Sequence, residues 1–227
     1  ITAGPQVDWG DGIIDNLNTH TYSVAGIKTI KIHGPFGIFR FNDLGDKLKI
    51  TDVSNVGGLV INSSGFFRGC ANMTWSATGA PTITALSISQ TFRDCALFDG
   101  DVSEWNVVTS SNMNGMFRGT AFNGDLSSWD FSSATNIGNI FRDTPFNQDI
   151  SAWNIASVTI ATNFMLNNTT FTQTNYDLLL PAWEAQSVQD SVSVDFGSAV
   201  YGAGAPATAR AALIADHTWT ITDGGPA

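Results

Sequence analysis

The sequence is poor in cations, cysteine and histidine. Ten Lys and Arg face twenty Asp and Glu, a formal net charge of −10. Such a surface repels phosphate backbones and anionic lipid, which argues against nucleic acid and anionic membranes as partners. No apolar run nears the ~18 residues that a membrane helix needs, and no signal peptide is visible. Two cysteines and three scattered histidines, His20, His33 and His217, fall short of a zinc ligand set. Gly-rich phosphate loops, GxSxG and HExxH are all missing, so no motif marks an enzyme. The chain opens on Ile1 rather than Met, which implies removal of something ahead of it. With 227 residues, 43% hydrophobic and 22 of them glycine, the chain has the material for a sizeable core of strands and turns rather than a helical bundle.

What the sequence does have is repetition. Trp105, Trp129 and Trp153 recur every 24 residues. Phe98, Phe122 and Phe146 keep that step, as do Asp101, Asp125 and Asp149, and Ser103, Ser127 and Ser151. An Phe-Arg pair opens each copy at Phe67-Arg68, Phe92-Arg93, Phe117-Arg118 and Phe141-Arg142. A unit this short cannot bury its own apolar face, so neighbouring copies must bury it for one another. The D-[VLI]-S-x-W segment alternates polar and apolar like a strand. The stretch "SATNIGNIF" suits a short helical or 3₁₀ turn. The expectation is an α/β repeat solenoid: a leucine-rich-repeat-like stack of about five rungs with one parallel β-sheet.

"AFNGDLSSWDFSSATNIGNIF" and "PFNQDISAWNIASV" resemble the BspA-like bacterial surface-protein repeat family, over roughly Ile50 to Phe171. That resemblance implies a surface-exposed protein associated with adhesion and ligand binding. The organisation expected is a β-rich N-terminal cap at 1–49, the solenoid at 50–171 and an α/β C-terminal cap at 172–227. In the first, "VDWGDG" followed by "HTYSVAGIKTIKI" resembles the hairpin core of PKD-type immunoglobulin-like domains, though Val7 to Gly34 is too short for a complete sandwich. In the last, Asn175 is a helix N-cap candidate, "APATARAALIADH" reads as a second helix packing through Ala207, Ala211 and Leu213, and "TWTITDGG" reads as a strand ending at Gly224-Gly225.

Stacking turns each repeated residue into a column with a rise of ~4.8 Å. The tryptophans read as a buried ridge or as a sugar-stacking stripe. Arg68, Arg93, Arg118 and Arg142 should repel one another. Either the Asp of the alternating Gly69, Asp94, Gly119 and Asp143 interleaves with them, or they grip an anionic ligand such as a sulfated or acidic glycan. Asp101, Asp125 and Asp149 either collect calcium or, with the serines, bond the backbone of the next copy. Asp8 and Asp11 carry the same choice between calcium and a turn. Cys70 and Cys95 share a register, which allows a disulfide between neighbouring copies or a free-thiol pair. Asn62, Asn72, Asn167 and Asn168 begin N-x-[ST] sequons.

Residues that come in series argue against a catalytic site, which is singular. The expected function is non-enzymatic: an extracellular or cell-surface domain binding a protein or glycan, without metal or other cofactor. Specificity is expected from the arginines and from slots that differ between copies, Glu104, Ser128 and Ala152, and Gly100, Gly124 and Gln148. The alternative is a structural component of a phage virion, or of a self-associating surface assembly whose partners are neighbouring subunits.

Overall fold

The computed structural model describes residues 6–17, 19–33 and 40–227. The chain divides into two compact units, Ile1–Phe39 and Arg40–Ala227.

In the first unit, β1 (Gln6–Asp8) lies between β2 (Ile14–Asp15) and β3 (Lys31–His33) and runs antiparallel to both. The turn after β1 is built by carboxylates. Asp8 accepts the Gly10 N–H at 3.0 Å and Asp11 accepts the Ile13 N–H at 3.2 Å, a local competition that short acidic side chains favour. Gly10 takes φ +73°, and a Cβ there would meet the Thr29 carbonyl oxygen at 2.5 Å. Trp9 donates to Asp15 at 3.0 Å, stacks on His20, and its carbonyl accepts the Tyr22 hydroxyl. His20 in turn lies 2.8 Å from Asp11. The strand expected to reach Gly34 is described as far as His33.

The second unit is organised by the repeat. Backbone N–H groups of one copy donate to carbonyls of the next: Gly65 to Ser89, Phe92 to Met116, Gly115 to Gly138 and Phe141 to Phe164, all at 2.8–3.0 Å. Parallel bridges join Ser87 to Asn112, Asn112 to Asn136, and Asn136 to Ile160. Two short parallel pairs precede them, β4 (Asp52–Val53) with β6 (Thr74–Trp75) and β5 (Val60–Ile61) with β7 (Thr82–Ile83). The pattern starts before residue 50, because Phe41, Asn42 and Asp43 already donate to Phe66, Gly65 and Arg68. Residues 40–49 therefore belong with the copies that follow, not with the N-terminal cap.

Two local expectations are corrected. The D-[VLI]-S-x-W segment is a turn, not a strand. Asp101, Asp125 and Asp149 each accept the N–H of the serine two residues on, at 2.8–2.9 Å. Those carboxylates thus cap their own copy and do not reach the next one. The "SATNIGNIF" stretch holds the Asn136 bridge and turns, with no helix. There Asn112 and Asn136 accept the N–H groups of Asn114 and Gly138. Among the described residues, pairing is split between short two-stranded sheets and single bridges, so one continuous parallel sheet does not form. The lone 3₁₀ helix described, Lys47–Lys49, precedes the clear copies.

The core is aromatic. Phe67, Phe92, Phe117 and Phe141 stack nearly parallel at 5.7–6.0 Å between centroids. Phe98, Phe122 and Phe146 form a second column pressed against the first, 3.7–4.0 Å away within each copy. Trp105, Trp129 and Trp153 are buried beside them. The indole of Trp129 donates to the Val102 carbonyl at 2.9 Å, and that of Trp153 to Leu126 at 3.3 Å. The buried Trp105 Nε1 finds no acceptor among the described residues. Trp129→Phe loses a hydrogen bond, although the Val102 carbonyl keeps the Trp105 backbone N–H at 3.0 Å, whereas Trp105→Phe loses none. In urea titrations the former should cost about 1 kcal/mol more than the latter.

The C-terminal segment carries the pattern on with different elements. Helix α1 (Gln173–Glu184) brings Trp183 into the indole series, donating to Ile150 at 3.3 Å. Its N-cap is Thr172, whose hydroxyl accepts from the Asn175 N–H, while the Asn175 amide reaches back to Asn147. The expected cap at Asn175 is thus displaced because that amide serves the repeat. Strand β8 (Ser193–Asp195) continues the ladder through an Ala161–Val194 bridge and pairs in parallel with β10 (Thr220–Thr222). β9 (Val200–Tyr201) pairs with β11 (Gly225–Pro226), so Gly225 begins a pairing rather than ending one. Between them, α2 (Ala205–His217) packs against α1 and buries Ala209 and Leu213, while Ala211 faces solvent.

Turn-capping carboxylates give the fold an acid limit. Hydrogen bonding from Ser103 and Ser132 holds Asp101 and Asp130 below the usual carboxylate range. Asp43 is lowered by Lys47, Asp11 by His20 and Asp15 by Trp9. A carboxyl depressed in the folded state stabilises it fully above the unfolded value and loses that contribution as pH falls through the folded one. Urea midpoints should therefore be level from about pH 7 to 5 and fall below about pH 4.

Candidate functional site

The arginines form one column, each side chain about one quarter exposed. Arg93 Nε lies 3.2 Å from Asp94, and Arg142 Nε lies 3.3 Å from Asp143. Arg118 is followed by Gly119 instead of an acid, and its Nε lies 3.6 Å from Asp143 of the next copy. Arg68 reaches back to Asp43 at 3.9 Å and donates to the Gln90 amide oxygen at 2.9 Å. The carboxylates do interleave with the guanidiniums, and this relieves their mutual repulsion.

Backbone conformation explains why the residue after each arginine is Gly or Asp. Asp43, Gly69, Asp94, Gly119, Asp143 and Asn167 all have φ between +59° and +81°, the region that Gly, Asn and Asp tolerate best. Space sets the alternation. A Cβ on Gly69 would meet the Asp43 carboxylate at 2.4 Å, and one on Gly119 would meet that of Asp94 at 3.0 Å. Each glycine makes room for the acid of the copy before it. Asp143 needs no such room, since it is met by the Asn167 amide at 2.6 Å.

A second column, Gly65, Gln90, Gly115 and Asn139, precedes each arginine by three residues and continues at Asn163, all at positive φ. The amide of Asn163 donates to Asn139 at 3.4 Å. Sequence reading missed this column and the Asp43 extension. The recurrence of Gly, Asn and Gln just ahead of Phe-Phe-Arg, Thr-Phe-Arg and Ile-Phe-Arg was their signal.

The variable slots behave differently from one another. Glu104 is exposed and has no hydrogen-bond or ionic partner among the described residues. Ser128 donates to the Ser103 carbonyl at 2.5 Å, and Gln148 donates to the backbone and side-chain oxygens of Asn123. Gly100 is buried, and a Cβ there would meet the Trp75 ring at 2.5 Å. Ser128 and Gln148 are thus tied to neighbouring copies, and Gly100 is fixed by packing. Glu104 and Ser128 border a shallow depression of ≈ 330 Å³ with Trp105, Asn106 and Asp130. No hydrogen bond or ion pair among the described residues joins Glu104, Ser128 or Gln148 to the arginines.

Cys70 and Cys95 are buried and unbonded. The Cys95 thiol lies 3.0 Å from the Phe67 carbonyl oxygen, and its neighbour Cys70, together with burial, pushes its pKa far up. In later copies Thr120 and Thr144 fill the slot and donate to Phe117 and Phe141. Among the described residues, no three His, Cys, Asp or Glu side chains converge as a metal site would require.

A family model described as DUF285, a Mycoplasma protein of unknown function, matches residues 61–183. That span takes in Arg68, Arg93, Arg118 and Arg142 together with both phenylalanine columns. No curated protein and no solved structure matches the chain. By that match over more than half its length, the chain belongs to the DUF285 family, a BspA-like repeat family.

Proposed function

We propose that this protein is a non-enzymatic binding module, displayed outside the cell or on its surface, whose copies form a leucine-rich-repeat-like solenoid that engages a protein or glycan. The observation that carries this reading is the guanidinium column. Among the described residues it is a series of repeated polar side chains that keeps unused hydrogen-bonding groups, while the Asp, Asn and Trp series are engaged in turns and with neighbouring copies. The exposed, unpartnered Glu104 beside a shallow depression adds a slot that differs from copy to copy. The N-terminal hairpin, with its resemblance to PKD-type domains, fits a surface-displayed protein. The test is a glycan and protein array probed with the purified chain. Saturable binding supports the reading, and silence across both arrays overturns it.

A second reading, a virion component or self-associating surface assembly, draws on the first unit. There Ile13, Ile14, Leu17, Val24, Ile27, Ile30 and Ile32 are exposed, Ile27 to 92%, and Val7 is the one buried side chain among that unit's described residues. Large apolar side chains left exposed in this number favour association. Light scattering on a size-exclusion column separates the two readings. A monomer at micromolar concentration speaks against assembly, and a concentration-dependent oligomer dispersed by Ile27→Lys speaks for it.

A further inference from the structure

We propose that Arg93, Arg118 and Arg142 form a comb that binds a sparsely charged anionic polysaccharide through their Nη edges. This rests on the reading of the chain as a binding module and names the ligand class. The three guanidiniums are alike in one respect. Each has Nε as the atom nearest a carboxylate: Arg93 and Arg142 hydrogen-bond Asp94 and Asp143 through it, while the buried Arg118 Nε lies 3.6 Å from Asp143 without a hydrogen bond. Among the described residues their Nη atoms make no hydrogen bond. Arg68 differs, since its Nη1 is taken by Gln90 and its Nη2 faces Asp43.

A guanidinium fixed along one edge presents the other as a preformed fork for a carboxylate or sulfate. Three such forks in consecutive copies repeat at ~4.8 Å, the scale of one sugar ring. A glycan chain can therefore run along the column and place an acid group at successive or alternate copies. The interleaved carboxylates limit the charge density the column accepts. With Asp94 and Asp143 among the arginines, and a chain of net charge −10, a densely charged polyphosphate is repelled. A glycan with an acid on some rings and hydroxyls on the others is accommodated. The adjoining amides of Gln90, Asn139 and Asn163 offer groups for those hydroxyls.

The experiment is isothermal titration of the whole chain with hyaluronan, κ-carrageenan and neutral dextran in 50 mM and 300 mM salt. Hyaluronan carries a carboxylate and κ-carrageenan a sulfate on every second ring, so the two separate a carboxylate from a sulfate preference. Binding to at least one of them, weaker in high salt and absent with dextran, is expected. Arg118→Ala should weaken it roughly ten-fold, and Arg118→Lys, which keeps the charge without the fork, should weaken it too. Asp143→Asn preserves the left-handed backbone and removes a competing carboxylate, so it should tighten binding. Circular dichroism confirms that each variant is folded, and the asparagine and lysine variants stand in should the alanine variant fail to fold. No binding to either polyanion overturns the proposal. So does binding that Arg118→Ala and Arg118→Lys leave unchanged, or that Asp143→Asn weakens. If the arrays show binding while both polyanions fail, the comb is wrong and the binding module stands. If the arrays are silent as well, the module falls too.

Discussion

Replacing Phe117 with alanine should destabilise the second unit by about 3–5 kcal/mol, read as a lower urea midpoint by circular dichroism. Phe117 is fully buried at the middle of its column. Its ring stacks on Phe92 at 5.9 Å, on Phe141 at 6.0 Å and on Phe122 at 4.0 Å, and tilts against Trp129. Truncation opens a void walled by aromatic rings of three copies. Each of those rings is stacked on a further neighbour and cannot collapse into the gap without losing that contact, so the cavity persists. Phe67→Ala, nearer the end of the column, should cost less, because among the described residues its ring has a stacked phenylalanine neighbour on one side only.

Asp223→Ala should cost a comparable 3–5 kcal/mol, for an electrostatic reason. The Asp223 side chain is 3% exposed and accepts from Arg210 Nε and from the Tyr176 hydroxyl, both at 2.7 Å. It also caps the Gly225 N–H at 3.0 Å, where β11 begins. Removing it leaves a guanidinium that is mostly shielded from water without its counter-ion and a buried hydroxyl without an acceptor. Tyr176→Phe keeps the ion pair and should cost only about 1 kcal/mol. If alanine at 223 proved as mild as phenylalanine at 176, the ion pair would have no part in fastening α1 and α2 to the final strands.

The sequence revealed the period before anything else, because Trp105, Trp129 and Trp153 cannot share a step by accident of composition. The core was legible for the same reason: large apolar residues that recur must meet their copies. The assignment of strand and turn within a copy was not. D-[VLI]-S-x-W alternates like a strand, yet an Asp two residues ahead of a Ser is also the pattern of a carboxylate-capped turn, and the capped turn prevailed. The alternation of Gly and Asp after the arginines was visible as charge interleaving, but its cause lies in a positive φ and a steric allowance that only the folded chain discloses. The union of Asp223 with Tyr176 spans 47 residues and leaves no local trace. The acceptorless indole of Trp105 is announced by no feature of Trp105 itself.

The hydrogen bonds that join the copies have a mechanical consequence. They run from each copy to the next, as from Gly115 to Gly138 and from Asn139 to Thr162, so tension drawn along that direction loads the seams in series. In series, the weakest seam fails first and the others hold. A molecule pulled between its ends then lengthens in steps, each releasing one copy of the repeat, about 80 Å of extended chain. A tether of this design absorbs a sudden load by giving length rather than by letting go.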